Sequence, residues 1–426
     1  MGAQKKACGH SLPSWCLLPA GEDLSQGDMA LRAVLLVRPG QSRKMYPALE
    51  EGIMEKNVLI VARWPLGGIR TYMRYLFRYL PAHYRLTLLA SQTHEDAALA
   101  NDVEEYRARL IIVREADTKG LVSAAFRELR TNRYDVILSQ GFISAVAVSL
   151  ANLFFRVPQI VTIHGILEPK YLTGRLGWLK HFLLRKMIGR ITVLYAVSND
   201  ILSHLHEQFP ELAHNGQRSI VIPNGIELGA LEHLPASPID LRAEFGIDDA
   251  TFLLGFFGRF MPQKGFDLLV EAVRMLKKQQ YGRKFAVVAV GSGDYLKEYR
   301  AKIRELDLEP CFHFLPFQSE VCHLYAQINA IVMPSRWEAS GLLAMEALCT
   351  GTPLVAADCI GLRETVHDTP AMVFASENVG ALADALRKSI DEPRTDEFQR
   401  FVPLARSRYD VRASAQQLAQ LLDSIR

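Results

Sequence analysis

Two cations five residues apart, Arg259 and Lys264, sit in Gly258-Arg259-Phe260-Met261-Pro262-Gln263-Lys264-Gly265, directly after the apolar run 252–257. A guanidinium offers a planar fork to phosphate oxygens and an ammonium a compact charge, while a helix opening here adds unpaired N–H groups and the positive end of its dipole. Together they describe a site for one anion, although the same pair reads equally well as two solvated loop cations. Further on, Glu338 and Glu346 lie eight residues apart, the first in the loop after the run 330–333 and the second inside a helix. Glu338, at the mouth, can accept hydrogen bonds from sugar hydroxyls near a reacting carbon. Glu346, about two turns in, can take a pair of ribose hydroxyls. Leu342, Leu343, Met345, Ala347 and Leu348 make that helix largely apolar, so a carboxylate held in it needs a partner. Ser340 has the chemistry of an N-cap, and Gly341 allows backbone to approach a phosphate closely.

These groups need strands to aim them, and the chain supplies a regular alternation. Apolar runs near 58–62, 85–90, 109–113, 134–138, 159–163, 193–197 and 219–222 alternate with helical-period segments near 68–80, 119–131, 142–154, 172–189 and 199–208. This is the pattern of a doubly wound parallel sheet. It stops around Ile222-Pro223-Asn224-Gly225, where Pro235, Ser237 and Pro238 mark a linker. A second alternation runs through 252–257, 285–290, 312–315, 330–333 and 353–356, and an apolar-spaced stretch, 412–425, can pack back across both halves. Ligands of such sheets bind beyond the carboxyl ends of the strands.

Composition narrows the classes. The 426 residues carry 49 Lys plus Arg against 46 Asp plus Glu, a net charge of +3, which marks no dedicated nucleic-acid binder. Six cysteines without metal-ligand spacing indicate neither a disulfide framework nor a zinc site, and no run is long and apolar enough to span a bilayer. Residues 1–53 form an extension whose order the sequence leaves open, and Met54 reads as an alternative start.

The Gly-Arg-x4-Lys-Gly loop (Gly258, Arg259, Lys264, Gly265), the E-x7-E pair (Glu338, Glu346) and Gly351-Thr352-Pro353-Leu354-Val355 together resemble the retaining, nucleotide-sugar-dependent glycosyltransferases of GT-B fold, glycosyl transferases group 1. The likeness continues through Gly67-Gly68, His164-Gly165, Ala196-Val197-Ser198 and Ile222-Pro223-Asn224-Gly225, covering about residues 55 to 425. It implies an α/β chain of two Rossmann-like domains facing across a cleft: residues 54–228 on the acceptor side, 229–408 binding the nucleotide sugar, and 409–426 as a helix packing back.

The same resemblance assigns roles. Arg259 and Lys264 would hold the donor diphosphate, Glu346 the ribose and Glu338 the transferred sugar. Ser340, Gly341 and Leu342 would complete the donor site, and Gly67 and Gly68 would approach the phosphates from the opposite domain. Gly291 and Gly293 would line the base pocket, unless Gly291-Ser292-Gly293 is an ordinary tight turn, and His164 would contact the sugar near the acceptor. The chain has no Asp-x-Asp, so the cations and a helix amino terminus stand in for a divalent ion, and neither metal nor cofactor is expected. The implied activity is transfer of a sugar from a nucleotide-diphosphate donor to a saccharide or lipid-linked acceptor, in cell-surface polysaccharide or glycolipid synthesis. The alternatives are a non-catalytic nucleotide-sugar-binding partner and a sugar-nucleotide epimerase of the same fold. A cytoplasmic protein at the inner face of a membrane fits two basic segments: Arg70, Arg74 and Arg78 among Tyr72, Tyr75 and Tyr79, and the stretch 175–190 with Trp178, Lys180, Phe182, Leu183, Arg185 and Lys186.

Overall fold

A chain that alternates apolar strands with amphipathic helices can bury both faces of a parallel sheet, and this one does so twice. The computed structural model describes residues 55–114, 117–166, 174, 177–210, 218–232, 237–318 and 321–425. Residues 1–53, Met54, Pro235, Arg175 and the side chains of Lys180 and Leu183 lie outside that description. The first lobe runs β1 (Lys56–Ala62), α1 (Gly68–Phe77), β2 (Tyr84–Ser91), α2 (Asp96–Glu105), β3 (Arg109–Val113), α3 (Thr118–Thr131), β4 (Val136–Gln140), α4 (Gly141–Asn152), β5 (Gln159–Ile163), α5 (Gly177–Ile188), β6 (Val193–Ala196), α6 (Asn199–Gln208) and β7 (Arg218–Val221). Short helices α7 (Leu228–Glu232) and α8 (Leu241–Phe245) lead into the second lobe. There follow β8 (Phe252–Phe257), α9 (Phe266–Lys278), β9 (Phe285–Val290), α10 (Leu296–Glu305), β10 (Phe312–Leu315), α11 (Cys322–Tyr325), β11 (Ala330–Met333), α12 (Leu342–Thr350), β12 (Leu354–Asp358), α13 (Leu362–Val366), β13 (Met372–Ala375), α14 (Val379–Asp391), α15 (Thr395–Arg408) and α16 (Val411–Asp423).

All the strands pair in parallel, in the orders β3-β2-β1-β4-β5-β6-β7 and β10-β9-β8-β11-β12-β13. Each order reverses direction once, between β1 and β4 and between β8 and β11. The crevice beyond the strand ends at such a reversal is where open α/β sheets hold ligands. Period-two alternation on β1 sends Val58, Ile60 and Ala62 to the core under α1, and Leu59 and Val61 to the core under α3 and α4.

Two features depart from the sequence reading. Asp96–Glu105 is a helix, unread because only Leu99 and Val103 give its interior face an apolar stripe. The run 372–408 holds β13, α14 and α15, for which no separate elements are expected above. At the end of the chain α16 lies on the first lobe: Lys56 donates to the carbonyls of Leu422 and Ile425 at 2.6 and 2.7 Å, and the Tyr84 hydroxyl to Ala419 at 3.0 Å. Among the described residues no helix is long and apolar enough to cross a membrane.

Candidate functional site

The loop after β8 leans on the loop after β9, because the Gly258 amide donates to Val290 at 3.0 Å and the Phe260 amide to Ser292 at 2.8 Å. That contact explains two glycines. Gly291 stands at φ 152°, and a Cβ there would come within 1.9 Å of the Gly258 carbonyl oxygen; at Gly293 it would come within 2.5 Å of the Phe260 oxygen. Backbone packing against the β8 loop alone therefore excludes a side chain at both. The loop is also joined to the one after β11. Arg336 takes both carboxylate oxygens of Asp267 at 3.0 and 2.7 Å, its amide donates to Gln263 at 2.8 Å, and the Gln263 side chain donates to Trp337 at 3.0 Å.

Across this joint Lys264 meets Glu338. Its Nζ lies 2.7 and 2.8 Å from the two carboxylate oxygens, and the Ser335 hydroxyl donates to Oε1 at 2.6 Å. Expected separately on phosphate and on sugar, the two residues form one pair in which the ammonium sits on both oxygens of a buried carboxylate. An ammonium has three N–H donors, so a Lys264 spending two on Glu338 keeps one for an anion. Arg259 is exposed, and its guanidinium makes no hydrogen bond or ion pair among the described residues.

The partner that an apolar helix demands for Glu346 is a pair of tyrosines. Tyr325 donates to Oε2 at 2.9 Å, and Tyr75, from α1 of the other lobe, to Oε1 at 3.3 Å. Burial raises the Glu346 pKa, and the two hydroxyls work against that rise. The start of α12 corrects one expectation. Gly341, at φ 63°, occupies the N-cap position without any side-chain cap, so the leading amides of α12 are uncapped. Ser340 does not cap; its hydroxyl accepts from the Asn224 side chain at 2.6 Å across the lobes. Leu342, the first residue of α12, is partly buried.

The facing wall belongs to the first lobe. Gly67 is the N-cap of α1, and a Cβ there would lie 3.8 Å from the Arg259 side chain; Gly68 is open, with nothing within 4 Å of its missing Cβ. His164 follows β5, its Nε2 2.7 Å from Gln140 Oε1 and its ring edge-on to Tyr72 at 4.6 Å. Burial pushes its pKa down to about 3, which keeps the imidazole neutral. Beside it a Cβ on Gly165 would strike the Trp337 ring at 2.8 Å, and the Ser198 hydroxyl donates to Ala339 at 3.1 Å. The fold thus draws Gly67, His164, Arg259, Lys264, Glu338, Ser340, Gly341 and Glu346 to one interlobe gap. Asn224, Trp337, Tyr75, Tyr325 and Ser335 join them without an assigned role in the sequence reading. Two of them stand in segments legible in the sequence, Asn224 in the turn Ile222-Pro223-Asn224-Gly225 and Tyr75 in the basic segment of the first helix.

The α1 arginines do not form a free cationic stripe. Arg70 is bound to Asp102 at 2.5 Å and Glu95 at 3.0 Å, Arg78 lies 3.7 and 3.8 Å from Glu105 and Glu227, and Tyr72 and Tyr75 are buried. Among the described residues no three His, Cys, Asp or Glu are grouped to hold a metal ion.

Two family profiles match the chain: Glycosyltransferase Family 4 over residues 66–229 and Glycosyl transferases group 1 over residues 239–408. A D-inositol 3-phosphate glycosyltransferase of Frankia alni is 32% identical over 219 residues, 49% of this chain and 53% of that protein. A 2-deoxystreptamine glucosyltransferase of Streptomyces kanamyceticus is 28% identical over 251 residues, 56% of this chain and 62% of that protein. The match thus spans only about half to two thirds of these relatives' lengths. Among solved structures, Anabaena HepE in complex with UDP and glucose superposes with a TM-score of 0.71 at 22% identity, covering 87% of this chain and all of that one. Sucrose-phosphate synthase of Thermosynechococcus elongatus gives 0.70 at 19%, covering 87% and 98%. At such identities the likeness speaks for the fold, two parallel-sheet lobes of GT-B type.

Proposed function

Because the chain belongs to the group 1 glycosyltransferases, we propose that it moves a sugar from a nucleoside-diphosphate donor to a saccharide or lipid-linked acceptor, with retention of anomeric configuration and without a metal ion, in polysaccharide or glycolipid synthesis. The observation that carries this reading is the Lys264–Glu338 pair, set beside the exposed Arg259 and the uncapped start of α12 and opposite the Gly67-Gly68 turn. A cation held on a carboxylate bridges the two ends of a glycosyl phosphate, since the phosphate is anionic and the sugar offers hydroxyls.

In the transfer, the bond from the anomeric carbon to the phosphate oxygen breaks and its electron pair leaves with the diphosphate. Positive charge grows on the ring and negative charge on the leaving group. Arg259, Lys264 and the α12 amides stabilise the latter, the work a divalent ion would otherwise do. The acceptor oxygen attacks on the face the diphosphate vacates and gives its proton to the departing phosphate. Glu338 orients the sugar hydroxyls and is no general base, because both its oxygens are engaged by Lys264 and one also by Ser335. Neutral His164 can donate or accept a hydrogen bond at the sugar but adds no charge there. Glu346 takes the ribose.

Anabaena HepE is known with UDP-glucose, so UDP-sugars are the first donors to try, with inositol phosphates among the acceptors in view of the Frankia relative. The test is acceptor-dependent release of nucleoside diphosphate from a panel of sugar nucleotides, with the anomer of the product read by proton NMR. No turnover with any donor would overturn the assignment. An inverted product would overturn retention, and loss of activity in chelator with recovery in Mg²⁺ would overturn metal independence.

A further inference from the structure

On the face of the first sheet opposite α1, helices α3, α4 and α5 stand side by side. Their inward residues, Leu121, Ala125 and Leu129 on α3 and Ala147, Val148 and Ala151 on α4, fill the core beneath. The outward positions include polar residues, Lys119, Ser123 and Thr131 among them, but several carry large apolar side chains where polar ones would serve. Phe154 is 78% exposed, Trp178 72%, and Phe126, Leu150, Leu153 and Phe182 are also exposed. Nor are they scattered: Phe126 packs edge-on against Phe154 with centroids 5.9 Å apart and against Phe155 at 5.4 Å, joining the outer side of α3 to the end of α4. A contiguous exposed apolar patch marks a surface that meets something else.

The charges around it select the occupant. Arg127, Arg130, Arg133 and Arg156 are all exposed, and none of their guanidinium groups has a hydrogen-bond or ion-pair partner among the described residues. Arg130 is one helical turn from Phe126 and Arg156 follows Phe155 directly. Between Thr118 and Pro158 the only carboxylates are Glu128, buried and bound by Arg109, and Asp135, which accepts from the Asn57 amide at 2.7 Å. A symmetric contact with a second copy would bring two equally basic patches together with no carboxylates between them, since a two-fold interface uses the same surface on both copies. Apolar rings among unpaired arginines, with a tryptophan on the neighbouring helix, instead match the apolar boundary and negative headgroups of an anionic bilayer. We propose that the outer face of α3 and α4, extended by α5, docks this protein on an anionic lipid bilayer. The proposal replaces the α1 stripe as the membrane contact and does not depend on the transfer chemistry.

The experiment is flotation of the full chain with vesicles of phosphatidylcholine alone or mixed with phosphatidylglycerol, at low and high salt. The wild type should float with the anionic vesicles at low salt and be released by salt. Arg130→Gln/Arg156→Gln should weaken that binding by about 25-fold, at about fivefold per arginine near a charged surface. Phe126→Ser/Phe154→Ser should lose it as well, with thermal midpoint and turnover of a water-soluble acceptor unchanged. Wild-type chain that fails to float, because a second copy or another segment covers the face, would overturn the proposal. So would unaltered flotation of both variants, or a self-association seen by light scattering that either variant abolishes.

Discussion

Replacing Lys264 by Met should weaken the fold itself, apart from any effect on turnover. Glu338 is 6% exposed and holds the Lys264 ammonium with both oxygens, at 2.7 and 2.8 Å; without it only the Ser335 hydroxyl remains. Removing one partner of a buried pair costs about 3–5 kcal/mol, because the other charge stays uncompensated. A quarter of the Lys264 side chain is exposed, and water screening reduces the figure to about 2–3 kcal/mol. Glu338→Gln keeps an acceptor and frees an ammonium that can reach solvent, for about 1 kcal/mol. The double variant has no charge to strand, so its loss should fall short of the sum by about 1–2 kcal/mol. Denaturant midpoints of the four proteins, compared at equal slope, measure that coupling. Additivity within about 0.5 kcal/mol would mean that the pair does not exist in solution.

The neutral state of His164 gives a second expectation. Its folded pKa of about 3 lies below the ordinary 6.5, so the unfolded chain binds the proton first, and stability is full above pH 6.5 and lost as pH falls toward 3. The loss reaches roughly 4–5 kcal/mol, and His164→Gln should flatten it; an unaltered acid limb would refute the burial argument. Glu346 has the opposite sign. Its raised pKa makes the ionised form costly, so wild-type stability should decline as pH rises above 4.5 through the folded value. Glu346→Gln should remove that decline while weakening nucleotide binding; a parallel pH profile in the variant would count against it. Glycines separate packing from ligand space. Gly291→Ala drives a Cβ onto a carbonyl and should destabilise by several kcal/mol, whereas Gly68→Ala meets nothing and should leave the melting temperature alone while reducing donor affinity. Equal melting temperatures for the two would contradict the reading.

Arg259, Lys264, Glu338 and Glu346 were legible because each follows a strand whose apolar run is plain in the sequence, so their sheet-edge position follows from periodicity. Their mutual arrangement was not. Lys264 and Glu338 are 74 residues apart, and Tyr75 and Glu346 271, distances over which no local spacing speaks. Ser340 reads as an N-cap by residue type, but the chain enters α12 through a left-handed Gly341, which leaves the serine free to bond Asn224. One miss produced another. With the weakly amphipathic Asp96–Glu105 unread as a helix, Arg70 looked like a free cation, when Asp102 on that helix and Glu95 beside it neutralise it. Of the exposed aromatic patch, Trp178 and Phe182 stand in the basic stretch 175–190, but the part on α3 and α4 is not legible, because Phe154 lies just past the end of α4, where helical period no longer orders the side chains.

The central claim is that Arg259 and Lys264 converge on one diphosphate. Calorimetric titration of the best-bound nucleoside diphosphate, and of its monophosphate, into wild type and Arg259→Ala tests it directly. Loss of a guanidinium–phosphate contact should weaken the diphosphate about tenfold to a hundredfold and the monophosphate far less. Matching isotherms for both nucleotides in the two proteins would contradict it.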